Sequence, residues 1–142
     1  MPDRSSGKAE GSNTGRGGDE LFEVRCDKLA RLRSMGIDPY PSQYRRTHTT
    51  EEGIALLHET EVAQGDDNPR TAEISVAGRL SAIRLMGRAS FADLRDGSGR
   101  LQLYLRRDIL GEESYQLLRE LDLGDFVGAQ GPLFRTRTGE PS

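Results

Sequence analysis

Apolar residues first recur along the chain at near-helical spacing. Leu21, Phe22, Val24, Leu29, Leu32 and Met35 form an imperfect stripe, which predicts a helix from about Glu20 to Met35. Asp19 precedes it as a candidate N-cap. Gly36 follows where a helix end turns left-handed, and Pro39 blocks continuation. Asp38-Pro39-Tyr40-Pro41 then reads as a stiff extended connector, because each proline fixes its own φ and restricts the residue before it. A second helix is predicted from about Thr50 to Val62, opened by Thr49 and Glu52 at capping-box spacing. Gly65-Asp66-Asp67-Asn68-Pro69 is a loop.

From Ile74 the period falls to two. Ile74, Val76, Gly78 and Leu80 alternate with Ser75, Ala77, Arg79 and Ser81, as in a half-buried strand. Ser90–Arg95 alternates again, with Ala92 and Leu94 on its apolar side. After the turn Asp96-Gly97-Ser98-Gly99, Leu101, Leu103 and Leu105 alternate with Gln102, Tyr104 and Arg106. A four-residue loop sets Arg95 opposite Arg100, Leu94 opposite Leu101, Asp93 opposite Gln102 and Phe91 opposite Tyr104. A slip by one residue would turn the leucines into water, so this register is strongly preferred. A short helix is expected over about Glu112–Leu121, then a fourth strand over Asp125–Thr136, bent at Gly128, Gly131 and Pro132.

Strand, strand, strand, helix, strand is the order of an OB-fold, a five-stranded Greek-key barrel that binds oligonucleotides. The expected organisation is a mainly β domain over residues 71–142, preceded by an N-terminal helical extension over 20–70. A fifth strand is expected after Thr138-Gly139-Glu140, so the sequence, ending at Ser142, reads as a barrel cut before its last strand. An unpaired edge of that kind predicts lower stability and a tendency to associate.

Composition adds limits. The first 19 residues are rich in Gly and Ser and nearly devoid of large apolar groups. They bury too little surface to offset ordering entropy and read as a disordered tail. No apolar run approaches the length of a membrane span, and MPDRSSGKAEG lacks the apolar region of a signal peptide. One cysteine, Cys26, excludes an internal disulfide, and with only His48 and His58 beside it no metal site is expected. A cytoplasmic protein without a membrane partner is the simplest expectation. No nucleophile–base pair stands out, and Gly7-Lys8 is followed by Ala9 rather than the Ser or Thr of a phosphate loop, so no catalytic residue is expected.

Net charge is −3, which does not mark a nucleic-acid binder, but its distribution is uneven. Residues 79–107 carry seven arginines against Asp93 and Asp96, while Glu112, Glu113, Glu120, Asp122 and Asp125 face Arg119 alone in 112–125. A phosphate-binding face and a charge-balanced solvated surface both fit this pattern. On the polar side of the predicted hairpin, Phe91 would stack on a base, Gln102 would bond its edge and arginines would hold the backbone. Packing of Phe91 beneath a helix or loop fits the alternation as well.

The run VAGRLSAIRLMGRASF (residues 76–91), followed by LRDGSGRLQLYL (94–105), resembles the anticodon-binding domain of the class II lysyl-tRNA synthetases. That piece alone is equally similar to the aspartate and asparagine relatives. Lysine is favoured by KLARLR running into GIDPYP, by YRRTHT, by DLGD and by LFRTRTGE. The resemblance covers roughly residues 21–142. It implies a barrel that grips the uridine-rich anticodon loop of the tRNA of lysine. The position of Phe91 stacks on the central uridine, those of Arg84 and Gln102 contact its edge or neighbouring groups, and that of Glu140 helps recognise an adjacent base. Arg79, Asp93 and Tyr104 are expected in support. Without the resemblance, Glu140 is a solvent-exposed turn carboxylate. The resemblance further implies a homodimeric full-length enzyme that uses ATP and Mg2+ in a separate catalytic domain. No cofactor is expected in this chain, which should not aminoacylate alone. A free-standing OB module that binds single strands without sequence preference, and a protein-assembly module, remain alternatives.

Overall fold

The computed structural model describes residues 16–38 and 43–142. They divide into two units, Met1–Pro41 and Ser42–Ser142.

In the first unit, helix α1 spans Arg16–Ser34. It begins inside the stretch read as a tail, and Asp19 lies in its first turn rather than at its cap. An acid there favours the positive end of the helix dipole as a cap would. The rest of the expected tail, residues 1–15, lies outside the described residues, as does Pro39-Tyr40-Pro41 of the connector. The helix ends as expected at Gly36, whose φ is +76°. The Ile37 N–H donates to the Leu32 carbonyl (3.1 Å) and the Gly36 N–H to that of Arg33 (3.0 Å), a Schellman closure.

The second unit opens with α2, Thr50–Gln64, whose capping box between Thr49 and Glu52 is complete. Although expected with the N-terminal extension, α2 delivers the fully buried Leu57 to the core of this unit. Four strands follow: β1 (Ile74–Met86), β2 (Ala89–Arg95), β3 (Arg100–Arg106) and β4 (Phe126–Gly131). They form one antiparallel sheet in the order β3-β2-β1-β4. It curls into a half-barrel around Ile74, Val76, Leu80, Ala92, Leu94, Leu101 and Leu133. The β2–β3 register is the one expected, from Arg95 opposite Arg100 to Phe91 opposite Tyr104.

Three elements depart from the sequence pattern. Strand β1 continues to Met86, because a bulge at Ser81 resets the alternation that had defined it. The helix expected over 112–121 is α4 (Glu112–Leu117) finished by one 3-10 turn (Leu118–Glu120), and an unforeseen short turn, α3 (Arg107–Leu110), precedes it. In α4 the buried Tyr115 donates its hydroxyl to the Gly87 carbonyl (2.6 Å), pinning the β1–β2 turn. Strand β4 stops at Gly131 instead of Thr136, since Pro132 has no N–H for the ladder. The chain then reverses over Thr136–Glu140, and pairing resumes beyond the turn. Phe134 and Ser142 exchange two backbone bonds of 2.9 Å each, and Arg135 bridges Pro141.

The tip of the β2–β3 hairpin is tied to the start of α2. Asp96, its side chain 6 % exposed, accepts bonds from the Thr50 N–H (2.8 Å) and hydroxyl (2.8 Å). It also accepts from the N–H of Ser98 (2.9 Å), the hydroxyl of Ser98 (2.6 Å) and the N–H of Gly99 (3.1 Å). Burial alone would raise its carboxyl; the bonds from Ser98 and Thr50 outweigh that and hold it well below the ordinary carboxylate range.

Candidate nucleic-acid interface

With the leucines turned into the barrel, the outward face of the sheet is ordered by its cross-strand pairs. One rung reads Arg84–Phe91–Tyr104 across β1, β2 and β3, the next Ala82–Asp93–Gln102, and a third Arg79–Arg95–Arg100. Arg84 reaches this face only because of the bulge. Strict alternation from Leu80 would turn it inward, whereas the extra residue at Ser81 sends Ile83 towards the core and Arg84 outward beside Phe91.

Phe91 is half-buried, its ring centroid 5.1 Å from that of Tyr104. Tyr104 in turn meets Phe134 edge-on at 5.9 Å, and the Arg70 guanidinium lies 5.2 Å from the Phe134 centroid. The expected aromatic pair is therefore a row of three rings capped by a cation. Phe134 and Arg70 were not foreseen; the one local signal for Phe134 is its position next to the buried Leu133.

Glu140 is brought to the same face by Arg100. The Arg100 guanidinium bonds Asp93 Oδ2 at 2.8 Å and Glu140 Oε1 at 2.8 Å. Sequence reasoning named both carboxylates and missed the arginine between them. Arg79, expected in support, is on this face but at its far rung, with its guanidinium 4.6 Å from the centroid of Phe126.

The two readings of the arginine-rich stretch divide residue by residue. Arg106 pairs with Asp108, Arg107 with Glu112, and Arg100 with Asp93 and Glu140. Hydrogen bonds from Arg107 and Gln116 hold the Glu112 carboxyl down to about 2. Arg79, Arg84, Arg88 and Arg95 are exposed and have no carboxylate within 4.0 Å among the described residues. Within residues 79–107 those four are the arginines open to phosphate. Among the described residues no group of three or more His, Cys, Asp or Glu side chains converges to hold a metal ion, and no helix is long and apolar enough to cross a membrane.

Residues 74–142 match a family described as an OB-fold nucleic acid binding domain. The chain is 48 % identical over 122 residues to the lysine–tRNA ligase of Dehalococcoides mccartyi strain 195, covering 86 % of this chain and 24 % of that protein. It is 44 % identical over 124 residues to the lysine–tRNA ligase of Moorella thermoacetica, covering 87 % of this chain and 24 % of the relative. With that of Bacillus subtilis strain 168 it shares 36 % identity over 124 residues, again 87 % of this chain and 24 % of the relative. The chain spans about a quarter of the length of the curated relatives it matches.

Proposed function

Residues 74–142 belong to the OB-fold nucleic acid binding domains, and from that premise we propose that the chain reads the anticodon of the tRNA of lysine as one part of a lysine–tRNA ligase. The observation that carries this reading is the outward rung Arg84–Phe91–Tyr104 with Gln102 one rung away. A uracil offers a π-face and an edge of alternating acceptors and donor. Phe91 supplies the stacking surface, and the Gln102 amide supplies both a donor and an acceptor. Arg84, beside Phe91, serves the neighbouring oxygens. Glu140 accepts from the donor edge of an adjacent base, with Arg100 fixing where its carboxylate stands. Arg88 and Arg95 are placed for the phosphates, and Asp93 acts through Arg100.

Attachment of lysine to the tRNA, with ATP and Mg2+, is assigned to a separate domain of a cytoplasmic, homodimeric full-length enzyme. In this reading the residues of the present chain serve binding of the tRNA, and that chemistry is left to the separate domain. The test is a titration with the anticodon stem-loop of the tRNA of lysine and with the same stem-loop changed only at its central base. The unmodified loop is expected to bind more tightly, by about 1 kcal/mol for each edge hydrogen bond lost, since the changed base can still stack on Phe91. Equal affinities would sink the reading.

The Arg100 bridge gives a finer expectation. Arg100→Ala frees the Glu140 carboxylate, so discrimination at the base beside the central uridine should fall by about 1 kcal/mol. Discrimination at the central base should persist. Competition binding against single-base variants checks it; an equal loss at both positions would contradict the assignment of Glu140 to one base.

A further inference from the structure

Phe126, which opens β4, is 75 % exposed although it lies in a strand. It pairs across the ladder with Arg79, whose guanidinium lies over its ring. Pairing with Arg79 puts Phe126 on the same outward face as Phe91 and extends the Arg100–Arg95–Arg79 rung onto the fourth strand. Two residues along β4, that face carries Gly128, where a Cβ would run into the ring of Tyr44. The Tyr44 ring occupies the space that a side chain there would fill, and is itself 51 % exposed. The flank therefore presents two exposed aromatic rings beside Arg79 and Arg95, neither of which has a carboxylate partner among the described residues. The carboxylates nearest in sequence are engaged: Asp93 with Arg100, Asp96 with Thr50 and its own turn, and Asp125 with the N–H of Asp122.

We propose that this β1–β4 flank is a second nucleotide platform, where Phe126 stacks on a base and Arg79 holds a phosphate of the strand that Phe91 engages. The proposal rests on the anticodon-reading assignment above and extends it to nucleotides outside the bases read there. Charge complementarity selects the occupant. Arginines without a carboxylate partner, one of them already against an exposed ring, suit single-stranded RNA, which carries both the phosphates and the rings to match them. The distances allow one strand to use both platforms. Phe91 to Arg95 is about 13 Å along β2, and Arg95 to Phe126 is two strand spacings, about 10 Å. One OB barrel covers about 4–16 nucleotides, which spans that path.

The experiment titrates the 142-residue chain with two uridine-rich oligoribonucleotides of about 3 and about 12 nucleotides, below and within that range. Phe126→Ala and Arg79→Gln are each expected to weaken the longer RNA roughly tenfold and leave the shorter one unchanged. Arg79→Gln should also reduce the salt slope for the longer RNA by about 0.7. Phe91→Ala should weaken both RNAs. An unaltered thermal midpoint for Phe126→Ala confirms that an exposed side chain was removed without loss of fold. Unchanged affinity of Phe126→Ala for the longer RNA overturns the platform, whatever Phe91→Ala does. If that variant instead lowers self-association in sedimentation and leaves RNA binding intact, the flank is a protein interface and the proposal is wrong. Inert Phe91→Ala against both RNAs would count against the anticodon reading itself.

Discussion

Phe91→Ala is expected to weaken binding of the anticodon stem-loop of the tRNA of lysine by about 1–3 kcal/mol, the range for removing one base–aromatic stack. Phe91 is the ring at the middle of the outward rung, with Arg84 on one side and Tyr104 on the other. Its truncation removes the stacking surface and also the tilted contact that orients Tyr104 at 5.1 Å. The ring pair is worth about 0.5–1.5 kcal/mol beyond its buried area, so some folding stability should be lost as well. Calorimetric titration reads the binding loss, and a urea curve on the same variant separates it from instability. Phe91→Tyr keeps a π-face and should retain most of the affinity. Wild-type affinity in Phe91→Ala would remove the basis of the reading, because no other ring sits between Arg84 and Gln102 in the ladder.

Asp96→Ala is expected to destabilise the fold by about 2–4 kcal/mol, since bonds to a charged, largely buried group are among the stronger ones and their donors would be left unpaired. The carboxylate accepts five hydrogen bonds, two from Thr50 and three from its own turn. It therefore closes the hairpin and satisfies the first turn of α2 at once. The pH dependence follows from the direction of its shift. The folded carboxyl is held below its ordinary value. Its contribution is therefore complete above the unfolded value of about 4 and is lost as pH falls towards the folded value. Urea midpoints measured from about pH 6 down to about pH 2 should fall more steeply for wild type than for Asp96→Asn. The comparison matters because Glu61 and Glu112 are also held low and add to the acid slope of both proteins. Parallel slopes would show that Asp96 is not the group responsible.

The sheet was legible where its physics is local. Period-two alternation fixes which leucines face the core, and a four-residue turn then leaves one sensible register, so the Phe91–Tyr104 and Asp93–Gln102 pairs follow from sequence alone. Alternation also put Phe91 and Gln102 on the outward side. Arg84 was hidden from it by the bulge at Ser81, which breaks the period between Leu80 and Ala82; the family resemblance supplied it. Glu140 was likewise invisible to local pattern, because its place depends on Arg100, forty residues earlier in the chain. Neither Arg100 nor Phe134 was foreseen, since each acquires its role from a partner brought by tertiary closure. The helix ends show the same division. Gly36 and Thr49 announce caps through their own chemistry, whereas the start of α1 at Arg16 was passed over because the Gly- and Ser-rich composition there reads as a tail. The end of β4 was overrun because Gly131 and Pro132 were read as a bend within a strand.

The bulge at Ser81 makes β1 a strand of two phases, and that bears on how the sequence can vary. Upstream, one parity feeds the core and the other presents Arg79; downstream, the parities exchange, so that Ile83 packs and Arg84 reads. Ser81 is exposed, so changes in its identity cost little. A loss of that residue is tolerated by the same logic. Removing it would leave Leu80 opposite Leu94 and Ala82 opposite Asp93, so Arg84 would stay outward and Ile83 inward, and only the local bend and twist of the bulge would go. What must be preserved there is the pairing of Ala82 with Asp93 rather than the residue that precedes it.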